Sequence, residues 1–257
     1  MLDQWRVSGP GMPRYVLPSN HYSAVYAVGD VHGCHQALLE IEAQIVQDGD
    51  GIDGPKLIIM LGDYVDRGPQ SSAVLYHLMA SPPHGFDRIC LRGNHDDALL
   101  DYINGDPAGD WCLEHGALET MRSYGVELEQ GAALRASDFS LRQRFRDMVP
   151  ESHRGFLDAL PSMVTIGPDV FVHAGIRPGR PLLDQTDEDL LWIRQSFIEM
   201  GPGLPCRVFH GHTPMRQAHV SAQRVSLDTH CYRTGRLTAA RLYAGEVDLI
   251  ERVGDVA

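Results

Sequence analysis

The sequence lacks a paired-cysteine motif. Its five cysteines, Cys34, Cys90, Cys112, Cys206 and Cys231, are odd in number and form no C-x-x-C. That argues against a disulfide framework or a zinc ribbon and fits a reducing compartment, which we take as the cytoplasm. It also lacks a basic excess. Lys and Arg total 22 against 34 Asp and Glu, a formal net charge of −12, whereas nucleic-acid binding through the bulk field needs a basic face. No apolar stretch approaches the length of a membrane span, and Met1 to Pro18 holds no apolar signal core. Neither a nucleic acid nor a membrane is therefore expected as a partner. Repeats, low-complexity tracts and an interdomain linker are missing too, so residues 1–257 read as a single domain. What is present is an ordinary hydrophobic content of 43%, a length sufficient for a substantial core, and thirteen histidines whose positions matter more than their number.

Residues 1–21 read as an irregular arm, given their prolines and glycines. Ala24 to Val28 is a first apolar run, ending in Gly29-Asp30-Val31-His32-Gly33. Leu38, Leu39, Ile41, Ile45 and Val46 follow at helical spacing. A second apolar run, Lys56 to Leu61, stops at Gly62-Asp63-Tyr64-Val65-Asp66-Arg67-Gly68, and a helix is expected over Gln70 to Met79 before Ser81-Pro82-Pro83. A third run, Arg88 to Leu91, leads into Arg92-Gly93-Asn94-His95-Asp96. Strand, polar loop and helix in succession are the mark of βαβ units with a parallel core, and right-handed crossovers put successive strand ends on one sheet edge.

Residues 96–160 are helical in pattern, an insertion beside the sheet that suits the wall or cap of a cleft, or merely covers the sheet. Asp169 to Val172 then leads into His173-Ala174-Gly175. Thr186-x-x-Asp189 has the form of a capping box, opening a helix with Leu190, Leu191, Ile193, Phe197 and Ile198; Arg194 falls on that helix. Arg207 to Phe209 leads into His210-Gly211-His212-Thr213-Pro214, and Arg224 to Leu227, Leu237 to Tyr243 and Val247 to Val253 read as a β-meander. The fold class expected is α/β with four layers: two packed mixed β-sheets flanked by helices.

Five strand ends thus carry candidate ligands: Asp30 and His32; Asp63 and Asp66; Asn94 and His95; His173; and His210 or His212. Carboxylates and an amide with imidazoles, and no thiolates, suit Mn, Fe or Zn rather than structural zinc. Two metal ions sharing a carboxylate are a recurrent solution for hydrolysing phosphate esters.

The series G-D-V-H-G, G-D-Y-V-D-R-G, G-N-H-D, H-A-G and G-H-T resembles that of the calcineurin-like metallophosphoesterases. The D-R-G and G-N-H-[DE] forms resemble the bacterial phosphoprotein phosphatase branch, with symmetrical diadenosine tetraphosphatases as relatives. The likeness runs from about residue 24 to 253, and W-C-L-E-H-G-A-L-E-T-M-R-S-Y-G-V (111–126) and L-L-W-I-R (190–194) belong to it.

The resemblance implies two divalent ions, with Mn preferred. Asp30 and His32 would hold the first, Asp63 would bridge, and Asn94, His173 and His212 would complete the second. His95 would donate a proton to the leaving oxygen with Asp66 bonded to it. Arg67 and Arg194, with Asn94, would hold the phosphoryl group while metal-bound hydroxide attacks in line, with no covalent intermediate. The substrate implied is a phosphorylated protein or small phosphoester. The activity implied is a serine/threonine-type protein phosphatase; the alternative is a symmetrical bis(5′-nucleosyl)-tetraphosphatase, and a non-catalytic binding module ranks below both.

Plainer readings stand beside these. Arg67 can simply pair with Asp66, and Arg194 can be solvated. Arg177 reads as a surface residue, His35 and His115 as ordinary cleft or surface residues, and the cysteines as packing. Strand alternation would point His210 and His212 to the same face, leaving His210 to support a ligand or compete with His212. Two departures bear on substrate choice: His230 stands where D-T-G is usual, strained if φ is positive there, and His115 where a G-G pair is more usual.

Overall fold

The computed structural model describes residues 2–7, 11–128 and 139–254. Met1, residues 8–10 of the arm, residues 129–138 of the helical stretch and the last three residues lie outside the described residues. The strands are β1 (Arg14–Leu17), β2 (Ala24–Val28), β3 (Lys56–Met60), β4 (Phe86–Cys90), β5 (Met163–Ile166), β6 (Asp169–Val172), β7 (Arg207–His210), β8 (His219–Val220), β9 (Arg224–Ser226), β10 (Arg236–Tyr243) and β11 (Glu246–Val253). The helices are α1 (His35–Gly49), α2 (Ser71–Met79), α3 (Asn94–Asn104), α4 (Trp111–Glu114), α5 (Ala117–Ser123), α6 (Phe139–Met148), α7 (Glu151–Ala159), α8 (Asp187–Trp192), α9 (Gln195–Met200) and α10 (Cys231–Thr234).

One sheet runs β11-β10-β2-β3-β4 and the other β1-β5-β6-β7-β9-β8. Both are mixed: β2, β3 and β4 are parallel, with β10 and β11 antiparallel beyond β2. Alternation along each strand separates the layers. Val25, Ala27, Leu57 and Ile59 face Val164, Phe171, Phe209 and Val225 of the second sheet. Ala24, Tyr26, Ile58 and Met60 face helices on the outer side, where Leu38, Ile41, Val74 and Leu99 pack. Val170, Val172 and Val208 pack under Leu190, Leu191 and Phe197. The β3 interior is wholly buried on both faces, at about 1.5–3 kcal/mol per large side chain. This explains a continuous apolar run rather than an alternating one.

Three expectations need correction. The arm is not irregular throughout, because Arg14–Leu17 is a strand parallel to β5. Prolines at 13 and 18 flank it without breaking it, and an edge position needs only one paired side. The C-terminal strands do not form one meander. β9 lies parallel to β7 in the second sheet, while β10 and β11 form a hairpin on β2 of the first. Both sheets leave a strand edge open, and the apolar pattern does not say which edge is taken. Third, the helix expected from Asp189 to Ile198 is two short helices, broken where Ile193 is extended at ψ 140°.

A charged triad ties the outer helices to the sheet. Glu42 of α1 accepts from Arg88 of β4 at 2.8 Å and lies 3.0 Å from His77 of α2. Burial raises the Glu42 carboxyl, but His77 and Arg88 outweigh it and hold it below its ordinary value of 4.5. A depressed carboxylate stabilises the fold above its unfolded pKa, and this is lost as pH falls through the folded value. Glu42→Gln should therefore cost about 1–3 kcal/mol at pH 7, with the gap to wild type narrowing on acidification below pH 4.5. Urea denaturation across that range measures it, and a gap that widens in acid would contradict the assignment.

Candidate active site

The motif loops meet at the carboxyl edge of β2, β3 and β4, joined by the loops after β6 and β7. Six non-glycine residues there have left-handed backbone: His32 (φ 44°), Asp63 (55°), Asp66 (71°), Arg67 (70°), His212 (61°) and His230 (58°). Such residues cost about 1–2 kcal/mol each, so the surroundings must over-determine them. Asp96 does so at Asp63. Its carboxylate accepts from the N–H groups of Asp63 (2.8 Å), Tyr64 (2.9 Å) and Gly93 (2.9 Å). Burial and the Asp63 charge push Asp96 up to about 8, while the three donors favour its ionised form. Gly93 permits the contact, because a Cβ there would sit 2.2 Å from Asp63 N. Gly211 does the same for Asp30, whose Oδ1 would be 1.8 Å from a Cβ.

Asp63 is buried between two histidines. Oδ2 lies 3.4 Å from His32 Nε2 and Oδ1 lies 3.4 Å from His173 Nε2. The other ring nitrogens decide what these contacts mean. His32 Nδ1 donates to Val65 O at 2.8 Å, and His173 Nδ1 to Leu61 O at 2.9 Å. Burial lowers the imidazole of His32 to about 3 and lowers that of His173, so both are neutral. Each Nε2 therefore presents a lone pair. His173 Nε2 also faces Asn94 Oδ1 at 2.9 Å, while Asn94 Nδ2 is buried without a partner. Acceptor faces acceptor with no proton between them.

The remaining residues gather around this point. His212 Nδ1 lies 2.8 Å from Asn94 Oδ1, the His212 backbone N–H donates to Asp30 Oδ2 at 3.0 Å, and burial lowers the imidazole to about 2. Asp30 is pushed well up by burial and by the carboxylates of Asp228 and Asp63. Burial likewise raises Asp228 to about 6. Three buried carboxylates and inward-facing lone pairs fit divalent cations, which would supply the missing positive charge. By spacing, the candidate ligand groups are His32, Asp63 and His95, and Asp63, His173 and His212. Asp63 belongs to both. Asp30 stands outside them, turned onto His212 N.

His95 differs from the other histidines. Its Nδ1 faces the carboxylate of Asp66 at 2.8 Å rather than a carbonyl, and its Nε2 accepts from Arg67 Nη2 at 3.0 Å. That pairing suits proton transfer better than ligation, despite its closeness to His32. Burial opposes the charged imidazole, but Asp63 and Asp66 outweigh this and raise His95 above its ordinary value. Asp66 is itself raised by burial.

Arg67 also donates to Tyr232 Oη and lies over the Tyr232 ring at 4.9 Å. Arg194 sits in the break between α8 and α9, not on a helix, and its Nε donates to His212 Nε2 at 2.9 Å. His210 does not share a face with His212. The left-handed backbone at His212 ends the alternation, and His210 turns to Ser226 Oγ at 2.7 Å and to the Phe197 ring. Arg177 pairs with Asp189, and His35 lies beside His77 away from the cluster.

Sequence reasoning missed several neighbours. Thr120 Oγ1 accepts from Asp66 N and donates to Asp66 Oδ1, both at 2.8 Å. Asp96, Asp228, Tyr232 and Trp111 also border the site. Asp96 lay in G-N-H-D, Trp111 and Thr120 in the 111–126 stretch and Asp228 in the D-T stretch, so these carried a motif signal without a role, and Tyr232 carried none.

The α/β/β/α layering with a donor cluster at one sheet edge is that of the metallophosphoesterases. A family model described as calcineurin-like phosphoesterase matches residues 24–251, and the chain belongs to that family. It is a phosphoester hydrolase of a family that uses divalent metals. Serine/threonine-protein phosphatase 2 of Escherichia coli (strain K12) is 35% identical to it over 236 residues, covering 86% of this chain and 94% of its own. A bis(5′-nucleosyl)-tetraphosphatase PrpE (asymmetrical) of Geobacillus sp. (strain WCH70) is 26% identical over 242 residues, covering 83% and 88%. The fold is also that of a cold-active protein-tyrosine phosphatase from Shewanella (TM-score 0.59, 14% identity, 93% of this chain and 81% of that one).

The geometry separates two kinds of residue by metal content. Asp63→Asn should lose most bound metal from both positions, whereas His95→Asn should retain it. Elemental analysis after equilibration with Mn²⁺ reads this directly, and equal metal loss in the two variants would contradict the distinction.

Proposed function

We propose that the chain is a dinuclear-metal phosphomonoesterase of the serine/threonine protein phosphatase type, acting in the cytoplasm on phosphorylated protein. The single observation that carries the metal chemistry is the burial of Asp63 between the Nε2 lone pairs of His32 and His173, one beside each carboxylate oxygen. Asp30, His32 and Asp63 would hold one ion, and Asp63, Asn94, His173 and His212 the other. Manganese is our choice, with iron or zinc compatible with the same donors. When bound, the two ions supply Lewis acidity, an activated water and charge for the phosphoryl oxygens.

The other residues act through their own protons and charges. Asp66 holds Nδ1–H of His95 and favours its protonated form, so Nε2 can deliver a proton to the departing oxygen. Arg67 occupies Nε2 when no substrate is present. On binding, its guanidinium moves to the phosphoryl oxygens, to which a planar fork is suited, and this frees Nε2 to carry the proton. Arg194 approaches from the His212 side, and Asn94 turns its free Nδ2 to the same group. No side chain is placed as a nucleophile, so water attacks phosphorus directly. Five free cysteines accord with a reducing cytoplasm.

The protein-phosphatase reading is favoured by the 35% identity to a serine/threonine phosphatase over nearly its whole length. The tetraphosphatase reading, in the symmetrical form, retains support from a relative whose name specifies the asymmetrical reaction. Mn²⁺-loaded protein should turn over phosphoserine and phosphothreonine peptides with higher kcat/KM than diadenosine tetraphosphate. A preference of tenfold or more for the dinucleotide would replace the first reading with the second.

A further inference from the structure

Cys34 and Cys231 lie far apart in the sequence and meet inside the fold. Each is 2% exposed, and both belong to one apolar cluster. The Cys231 thiol faces the Cys34 thiol as its side-chain partner, with the Arg252 guanidinium nearby. Cys34 Sγ also lies 3.5 Å from His32 O. Neither thiol has a part in the metal and proton chemistry above. Two thiols face to face, on segments from opposite ends of the chain, are a place where one covalent bond can form.

The two sides of that bond differ in stiffness. Cys34 stands just before α1, at the end of the first motif loop. That loop has no room to yield. Gly33 has φ 64°, a Cβ on it would lie 2.5 Å from Gly68 O, and Gly68 N donates to His32 O at 3.1 Å. Cys231 opens α10, a helix of four residues that follows the left-handed His230. A disulfide draws its sulfurs to about 2 Å, so α10 is the side that moves. Tyr232 is the next residue. Its ring lies 5.4 Å from the His32 ring, and its hydroxyl accepts from Arg67.

We propose that Cys34 and Cys231 form an oxidation site for peroxide, at which a reversible disulfide shifts Tyr232 away from Arg67 and lowers turnover. The site itself is independent of the ester hydrolysed, whereas its effect rests on the phosphoryl role of Arg67 proposed above. In the reaction the Cys34 sulfur takes one oxygen from hydrogen peroxide. The O–O bond breaks, giving a sulfenic acid and one water. The Cys231 sulfur then bonds to the Cys34 sulfur, and the sulfenic hydroxyl leaves with the Cys231 proton as a second water. Two thiols lose two electrons and two protons, and peroxide is reduced to two waters. A dithiol reductant reverses the step. Burial of both thiols restricts the site to a small oxidant.

The test treats Mn²⁺-loaded wild type, Cys34→Ala and Cys231→Ala with hydrogen peroxide. It reads non-reducing peptide maps by mass spectrometry, bound manganese, and turnover of p-nitrophenyl phosphate. Wild type should yield the Cys34–Cys231 linked peptide and lose roughly tenfold in kcat/KM, with manganese retained and activity restored by dithiothreitol. Each alanine variant should match reduced wild type and resist peroxide. Absence of the linked peptide from wild type would overturn the site, and that map decides it even where a variant fails to fold. A linked peptide with unchanged kcat/KM, or equal inactivation of wild type and variants with loss of manganese, would overturn the effect on turnover. Failure of reduced wild type to turn over the ester would instead count against the phosphomonoesterase reading, and the map would still decide the disulfide.

Discussion

Everything at the site depends on two carbonyls that determine which ring nitrogen carries a proton. Val65 O and Leu61 O hold the Nδ1–H groups of His32 and His173. Both carbonyls belong to the stretch that flanks Asp63, so the chain that supplies the shared carboxylate also orients the imidazoles on either side of it. The two Nε2 lone pairs then meet the Asp63 carboxylate, whose Oδ1 accepts from the backbone N–H of His95 at 3.0 Å. Between each imidazole and the carboxylate an acceptor faces an acceptor, which is destabilising when buried. A divalent cation between them would make the arrangement favourable.

That need explains the local strain. A carboxylate lying between residues from both halves of the chain must leave β3 abruptly, and the left-handed turn at Asp63 does this. Asp96 offsets the cost by accepting from three N–H groups at the turn. The two sheets make this worthwhile mechanically. Their packed inner faces, Leu57 and Ile59 against Phe171 and Phe209, fix the ends of β3, β6 and β7 relative to one another. Positioning of His173 against Asp63 is therefore inherited from the sheet interface rather than from flexible loops.

The parts legible in the sequence were those written locally. Glycine-bounded strand ends named Asp30, Asp63, Asn94 and His173, because a short apolar run and its polar terminus lie within a few residues. The parallel order of β2, β3 and β4 followed from the helices between them. What was not legible depends on partners distant in sequence. Which sheet receives β10 is decided by the open edge of β2. Whether Arg194 is helical is decided by the extended residue before it, and that break brings the guanidinium to His212. His210 and His212 looked equivalent by alternation, and only the backbone turn separates them. Thr120 carries no local mark of its contact with Asp66, since threonine in a helix ordinarily bonds nearer home.

In the proposed mechanism Arg67 would join the charge-binding and proton-transferring halves of the site. Its Nη2 donates to His95 Nε2, so His95 is held with that nitrogen unprotonated while the guanidinium rests there. Its Nε is buried without a partner. A phosphoryl group offers the acceptors that this fork lacks. Moving onto it would satisfy Nε and vacate His95 Nε2 in one displacement. On the proposed mechanism the acid would then become available only when there is an ester to protonate, and the Asp63 and Asp66 charges that raise His95 would no longer be opposed by a cation on its other nitrogen. Tyr232, which the guanidinium also touches, links this displacement to the C-terminal loop carrying the strained His230. On the proposed mechanism, substrate recognition and proton delivery would share one side chain, and the loops that contact it, at Gly116 and Tyr232, would be the places where substrate preference is set.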